Sequence, residues 1–210
     1  PEDDKKSKID ELEGIEAVSE IFEETALIKY DERQYIATLK GVDDKFAAVT
    51  GIDSMMREGV FMLENNNKIF AVVGQGVAYS LRIGLNFISP LIFYVPKRTG
   101  DISMSNPTNS FNRSVVFPSG IFSIEQEYDS KYVLLPIQTV RELLEYTEEV
   151  SSLEIKIKDG FDKAEVQQKV KMIVGENFLV QNRYEQNEVL YRIMKSEKWA
   201  TFLILTLILL

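Results

Sequence analysis

Two periodicities divide this chain. In residues 33–42, Tyr35, Ala37 and Leu39 alternate with Gln34, Ile36, Thr38 and Lys40, the period-two pattern of a half-buried strand. Residues 18–30 before it are rich in β-branched and aromatic side chains, and Asp31-Glu32 separates the two runs, so a hairpin is predicted. Leu153, Ile155 and Ile157 alternate in the same way over 152–158. In residues 162–174 the spacing changes to Val166, Val170 and Ile173/Val174, one face of a helix that Gly175 should end. Ile9 and Leu12 mark a short helix over 3–13, stopped near Gly14, and Val140, Leu143 and Leu144 mark another over 138–146.

The stretch between is strand-rich. Phe46 and Val49 suggest a single helical turn within 44–50, and 64–68 (ENNNK) reads as a surface loop. Strands are expected at 69–73, 89–96, 113–124 and 132–136, with a helix from Gly74 through Arg82; Pro118 should place its strand at an edge or a bulge. A further strand is expected at 177–181. The last helix begins at Asn182, which forms a capping-box pattern with Glu185. Its stripe of Val189, Leu190, Ile193 and Met194 continues into Trp199–Leu210, where no residue is charged. That run is shorter than the roughly 20 apolar residues of a bilayer span. It reads either as the start of a transmembrane helix cut by the end of the chain or as a buried core helix. On the first reading Lys198, Trp199, Phe202 and Leu203 lie at the membrane boundary. Arg192, Lys195 and Lys198 beside the run run counter to an extracytoplasmic placement, because positive residues usually mark the cytoplasmic side.

This order predicts an α+β fold. An α/β subdomain is expected from both chain ends (1–43 and 131–190), with an inserted β-rich subdomain (44–130) and a stalk entering a membrane helix (191–210). Residues 97–112 (KRTGDISMSNPTNSFN) stand apart as a long loop or protruding hairpin. Lys97, Arg98 and Arg113 put positive charge there, and Ile102, Met104, Pro107 and Phe111 supply apolar groups, the composition of a partner-binding site. An ordinary crossover loop with its Ile and Phe tucked into the core fits the same residues.

Composition narrows the chemistry. A net charge of −9 over 210 residues disfavours nucleic acid. The chain has no histidine and no cysteine, which excludes serine–histidine hydrolases, histidine- or thiolate-bound metals, a cysteine nucleophile and disulfides. Gly74-x-Gly76 follows a strand and opens a helix, but Tyr79 occupies the place of a third glycine, so a structural turn is expected rather than a dinucleotide site. Glu125–Asp129 (EQEYD) lacks the spacing and glycine of a calcium loop and reads as a solvated loop. Two carboxylates meeting in space could still make a membrane-anchored hydrolase. No cofactor is expected, and no ATP-binding motif is present.

Three segments carry a resemblance: VVGQGVAYSLRIGLNFISPLIFYVP, FPSGIFSIEQEYDSKYVLLPIQTVRELL, and SSLEIKIKDGFDKAEVQQKVKMIVG with NEVLYRIMKSEKWATFLILTLILL, including Glu197-Lys198 before the apolar run. In pattern and order they resemble the extracytoplasmic (MacB-like periplasmic core) domain of lipoprotein-releasing, LolC/LolE-type ABC-transporter permeases, relatives of MacB and FtsX. The resemblance implies a porter-like α/β subdomain with an inserted, sabre-like β-rich one, in a periplasmic domain of an inner-membrane protein. It implies no catalytic residue here and these partners: a separate cytoplasmic ABC ATPase subunit, a second permease copy or sister permease, a lipoprotein client and a LolA-like periplasmic carrier. Residues 97–113 sit where such permeases carry a hook that grips the carrier, although they do not clearly reproduce a hook motif. The MacB/FtsX reading instead implies mechanotransmission to an efflux adaptor or a cell-wall hydrolase.

Overall fold

The alternating runs become a barrel. A computed structural model of the chain describes residues 2–85, 89–98 and 110–186. In chain order these form α1 (Glu2–Asp10), β1 (Ile15–Tyr30), β2 (Arg33–Val42), α2 (Phe46–Thr50), a 3-10 turn (Ile52–Met55), β3 (Met56–Gly59), β4 (Glu64–Asn65) and β5 (Lys68–Gly74). There follow α3 (Gln75–Leu81), β6 (Leu91–Pro96), β7 (Phe111–Phe122), α4 (Gln126–Lys131), β8 (Tyr132–Pro136), α5 (Ile137–Leu144), β9 (Ser152–Ile157), α6 (Lys163–Val174) and α7 (Arg183–Gln186). The helices and strands divide between two compact units, Glu16–Lys156 and the two chain ends, Pro1–Ile15 with Ile157–Leu210.

In the larger unit the strands pair in the order β7-β6-β1-β2-β8-β5, and β5 pairs back onto β7, closing the ring; β3, β4 and β9 add to it from outside. The β2–β8 and β5–β7 pairs are parallel, and the others in the ring are antiparallel. Closure leaves no free edge in the ring itself. One set of alternate positions faces the interior: Ala26 and Ile28, Ala37 and Leu39, Ala71 and Val73, Leu91 and Phe93, and Val133 and Leu135, all buried. Val77 and Leu81 of α3 and Val140 and Leu143 of α5 join this core. A second cluster lies on outward-facing strand positions, where Val72 and Leu134 pack with Phe46 and Ile52. Strands on both sides of residues 43 and 130 take part in this barrel. Pairings between strands distant in sequence, such as β5 with β8, leave no local pattern to reveal them.

Local features explain the strand ends. Asp31, at φ 50°, turns β1 into β2, and Asn66 and Asn67 at φ 47° and 59° make the expected loop a two-residue hairpin turn between β4 and β5. Pro118 falls at a bulge, where the β5–β7 register shifts and Ser119 donates to the carbonyls of Met62 and Ala71.

The unit built from the chain ends holds α1, α6 and α7. Asp162 caps α6 by accepting from Ala164 N at 2.8 Å, and Lys5 Nζ donates to the C-terminal carbonyl of Val174 at 2.8 Å. The predicted capping box forms: Asn182 Oδ1 accepts from Glu185 N at 3.0 Å, and Glu185 Oε2 accepts from Asn182 N at 2.9 Å. Asn182→Ala is therefore expected to cost about 1 kcal/mol, read as a lower denaturation midpoint together with faster amide exchange at Glu185. The strand expected at 177–181 is absent. Phe178 and Leu179 are exposed, and the Val180 carbonyl accepts from the Gln167 side chain rather than from a neighbouring strand. No helix among the described residues is long and apolar enough to cross a membrane, and the expected stalk with Lys198, Trp199, Phe202 and Leu203 lies outside those residues.

Candidate functional site

The two basic residues of the predicted loop stand at the base of a hairpin. β6 and β7 pair antiparallel from Leu91↔Val116 to Pro96↔Phe111, and Lys97 N donates to Ser110 O at 2.8 Å beyond the last pair. The connection between them therefore begins past the barrel strands, as a hairpin does. Ile102, Met104 and Pro107 lie outside the described residues. Phe111 is exposed on β7, which answers the alternative that it tucks into the core; Arg113 is exposed across from Tyr94.

A polar and aromatic network fixes this base. The Arg98 guanidinium lies 4.2 Å from the Tyr146 ring centroid, and Tyr146 meets Phe22 edge-on at 5.1 Å. Asn112 Nδ2 donates to Leu143 O at 2.9 Å and to Glu145 Oε1 at 3.1 Å. Behind it, Arg141 is buried and donates to Glu20 Oε2 (3.0 Å) and to the carbonyls of Glu148 and Glu149 (3.1 Å each). Backbone N–H groups of Thr147, Glu149 and Glu148, helped by the charge of Arg98, hold the Glu149 carboxyl below the usual glutamate range. The sequence could suggest Arg98 as a loop cation; its aromatic partner lies far along the chain and left no local signal.

Other candidates resolve into structure. The backbone at Gly74 and Gly76 approaches Asp129 and Ser130 of α4 so closely that this glycine pair is a packing device. EQEYD is helical rather than a loop. Asp129 is buried because it accepts from Ser123 Oγ and Ile124 N, both at 2.8 Å, and so closes the turn after β7. Among the described residues no group of three or more carboxylates could hold a metal ion.

A second charged cluster lies on the outer side of β2. Lys40 pairs with Glu154 and Glu23 and sits 5.4 Å from the Tyr132 centroid and 5.5 Å from that of Phe46. Burial is the largest influence on its ammonium and opposes the charge, but Glu154, by charge and hydrogen bond, and Glu23 outweigh it and raise the pKa. Burial likewise raises the Tyr132 phenol, against the pull of Lys131. Both groups hold their protons more tightly in the folded chain. Their stabilising contribution is complete below the unfolded values, about 10 for Tyr and 10.4 for Lys, and is lost as pH rises through the raised folded values. Urea midpoints should hold up to about pH 10 and then fall, with a smaller fall in Lys40→Met and in Tyr132→Phe.

No protein-family model and no curated protein matches the sequence. Solved structures do. The periplasmic region of MacB from Actinobacillus actinomycetemcomitans matches with a TM-score of 0.58 at 13% identity, over 91% of this chain and 81% of that one. The extracellular domain of the noncanonic ABC-type transporter YknZ from Gram-positive bacteria matches with a TM-score of 0.58 at 11% identity, over 83% of this chain and 82% of that one. At such identities the likeness is one of fold. The mixed α/β chain, with its closed barrel, shares the fold of these two domains.

Proposed function

We propose that the chain is the extracytoplasmic domain of an inner-membrane ABC-transporter permease. It would act without catalysis of its own and couple ATP hydrolysis on a separate subunit to movement outside the membrane. The fold likeness to the MacB and YknZ domains over most of the chain carries this reading. A rigid barrel suits the task because a packed core transmits displacement instead of absorbing it. The terminal apolar run would be the first turns of the membrane helix that brings the displacement in.

Within that class we favour lipoprotein release. The β6–β7 hairpin would present Lys97, Arg98, Ile102, Met104, Pro107, Phe111 and Arg113 to a LolA-like carrier, with a second or sister permease opposite. The observation that favours it is the braced base, where Arg98 on Tyr146 and Asn112 on Leu143 fix the two strand ends from which the connection leaves. The alternative is transmission to an efflux adaptor or a cell-wall hydrolase, with no lipoprotein client. Photo-crosslinkers at positions 102 and 111 of the membrane-embedded protein separate the two. Capture of a lipoprotein carrier is the expected result; capture of an adaptor or a wall hydrolase supports the alternative. If the intact protein neither associates with an ATPase subunit nor changes its hydrolysis rate, the transport reading fails.

A further inference from the structure

The closed barrel leaves one outer wall with an unusual composition. Strand register places Arg113, Tyr94, Leu27 and Ile36 side by side across β7, β6, β1 and β2. The next row outward on the same face holds Val115, Ile92 and Lys29. These alternate with the interior positions, so all face away from the core. Ile36 is 68% exposed, Val115 48% and Phe117 39%. Three gaps of about 4.8 Å between four strands and five steps of about 3.3 Å along six residues of β7 enclose roughly 240 Å². Ile36, Val115 and Phe117 are the exposed apolar groups of this face, and Leu27, Ile92 and Tyr94 between them are half-buried.

Charge selects the occupant. In a chain of net charge −9 the two rows carry Lys29 and Arg113 and no carboxylate. A second copy using the same wall would set these cations against themselves. An anionic bilayer, being extended, would also meet the acidic remainder of the chain. A small protein surface meets the wall and, beside Ile36, Glu127 and Lys131 of α4, one charge of each sign, while charges farther away than about 8 Å are screened at physiological salt. We infer that this wall docks a protein segment in which apolar side chains are interspersed with carboxylates. The inference rests on the barrel wall and its charges, and the wall extends from Arg113 at the hairpin base across β6, β1 and β2.

The probe is a short synthetic amphipathic peptide with glutamate at its polar positions, beside a counterpart with lysine there. The chain should bind the glutamate peptide, more weakly as salt rises, and not the lysine peptide. Arg113→Glu and Ile36→Ser should each weaken binding about tenfold or more, while Tyr79→Ser, at an exposed position on α3, should leave it unchanged. Thermal melts of the three variants, all at surface positions, confirm that each is folded. The proposal is overturned by equal binding of both peptides, or by a loss in Tyr79→Ser that matches the other two. Phosphatidylglycerol vesicles competing through Arg113 would reassign the wall to lipid, and self-association abolished by Ile36→Ser would reassign it to a second copy. None of these results bears on coupling to an ATPase, so failure here is distinct from failure of the transport reading.

Discussion

Gly74→Ala is expected to destabilise the chain by about 3 kcal/mol, the upper end of the usual range for forcing extra atoms into an occupied space. The backbone at Gly74 is ordinary for any residue, with φ −64° and ψ 143°. The obstacle is distance: an added Cβ would lie 2.3 Å from the Asp129 carbonyl oxygen and 3.0 Å from its Cα. At Gly76 it would lie 2.4 Å from Ser130 Oγ and 2.8 Å from Ser130 Cα. These are mostly main-chain atoms, so relief requires α3 and α4 to move apart. Asp129, which closes the turn after β7, would move with α4. Gly51→Ala is the control, because Gly51 has φ 71° with nothing within 4 Å of the added atom. It should lose only about 1 kcal/mol, the cost of a left-handed alanine. Urea unfolding of the two variants measures this directly. A Gly74→Ala protein as stable as the parent would mean that α3 and α4 are less tightly apposed than described.

Arg141→Ala should cost about 3 kcal/mol, near the lower end for removing one member of a buried ion pair. The loss would leave Glu20 without its buried cation and two carbonyls, those of Glu148 and Glu149, without their donor. Lysine restores the charge but not the planar fork that reaches all three acceptors, so Arg141→Lys should recover less than half of the loss. The loop after α5 should loosen as well. Amide exchange should quicken at Tyr146, whose N–H is held by Arg141 O, and at Ser151, held by Ile21 O. A loss below about 1 kcal/mol with unchanged exchange would place Arg141 among ordinary surface residues. Because Tyr146 also carries Arg98, the same variant tests whether the hairpin base depends on this buried guanidinium.

Single elements were legible because their causes are local. The hairpin of β1 and β2, the bulge at Pro118, α6 with Gly175 behind it and the Asn182–Glu185 box follow from alternation, proline geometry and capping chemistry within a few residues. Where the reading departed from the structure, the deciding partner was remote. EQEYD looked solvated because its acids are numerous, yet the fold of Ser123 and Ile124 around Asp129 makes that carboxylate a buried acceptor. The segment 177–181 had strand-like residues but pairs with no strand among the described residues.

The candidate site divides in the same way. The chain alone marked residues 97–113 by composition, and its lack of histidine and cysteine ruled out whole classes of chemistry. That Arg98 stacks on Tyr146, and that Lys29 and Arg113 share one wall with Ile36 and Val115, was decided by register between distant strands. Sequence fixes what a residue can do and the conformation of its near neighbours, since those depend on bonds and contacts a few residues apart. Closing β5 onto β7 depends on summed burial over the whole barrel, so which side chains become neighbours is settled only once the core has formed.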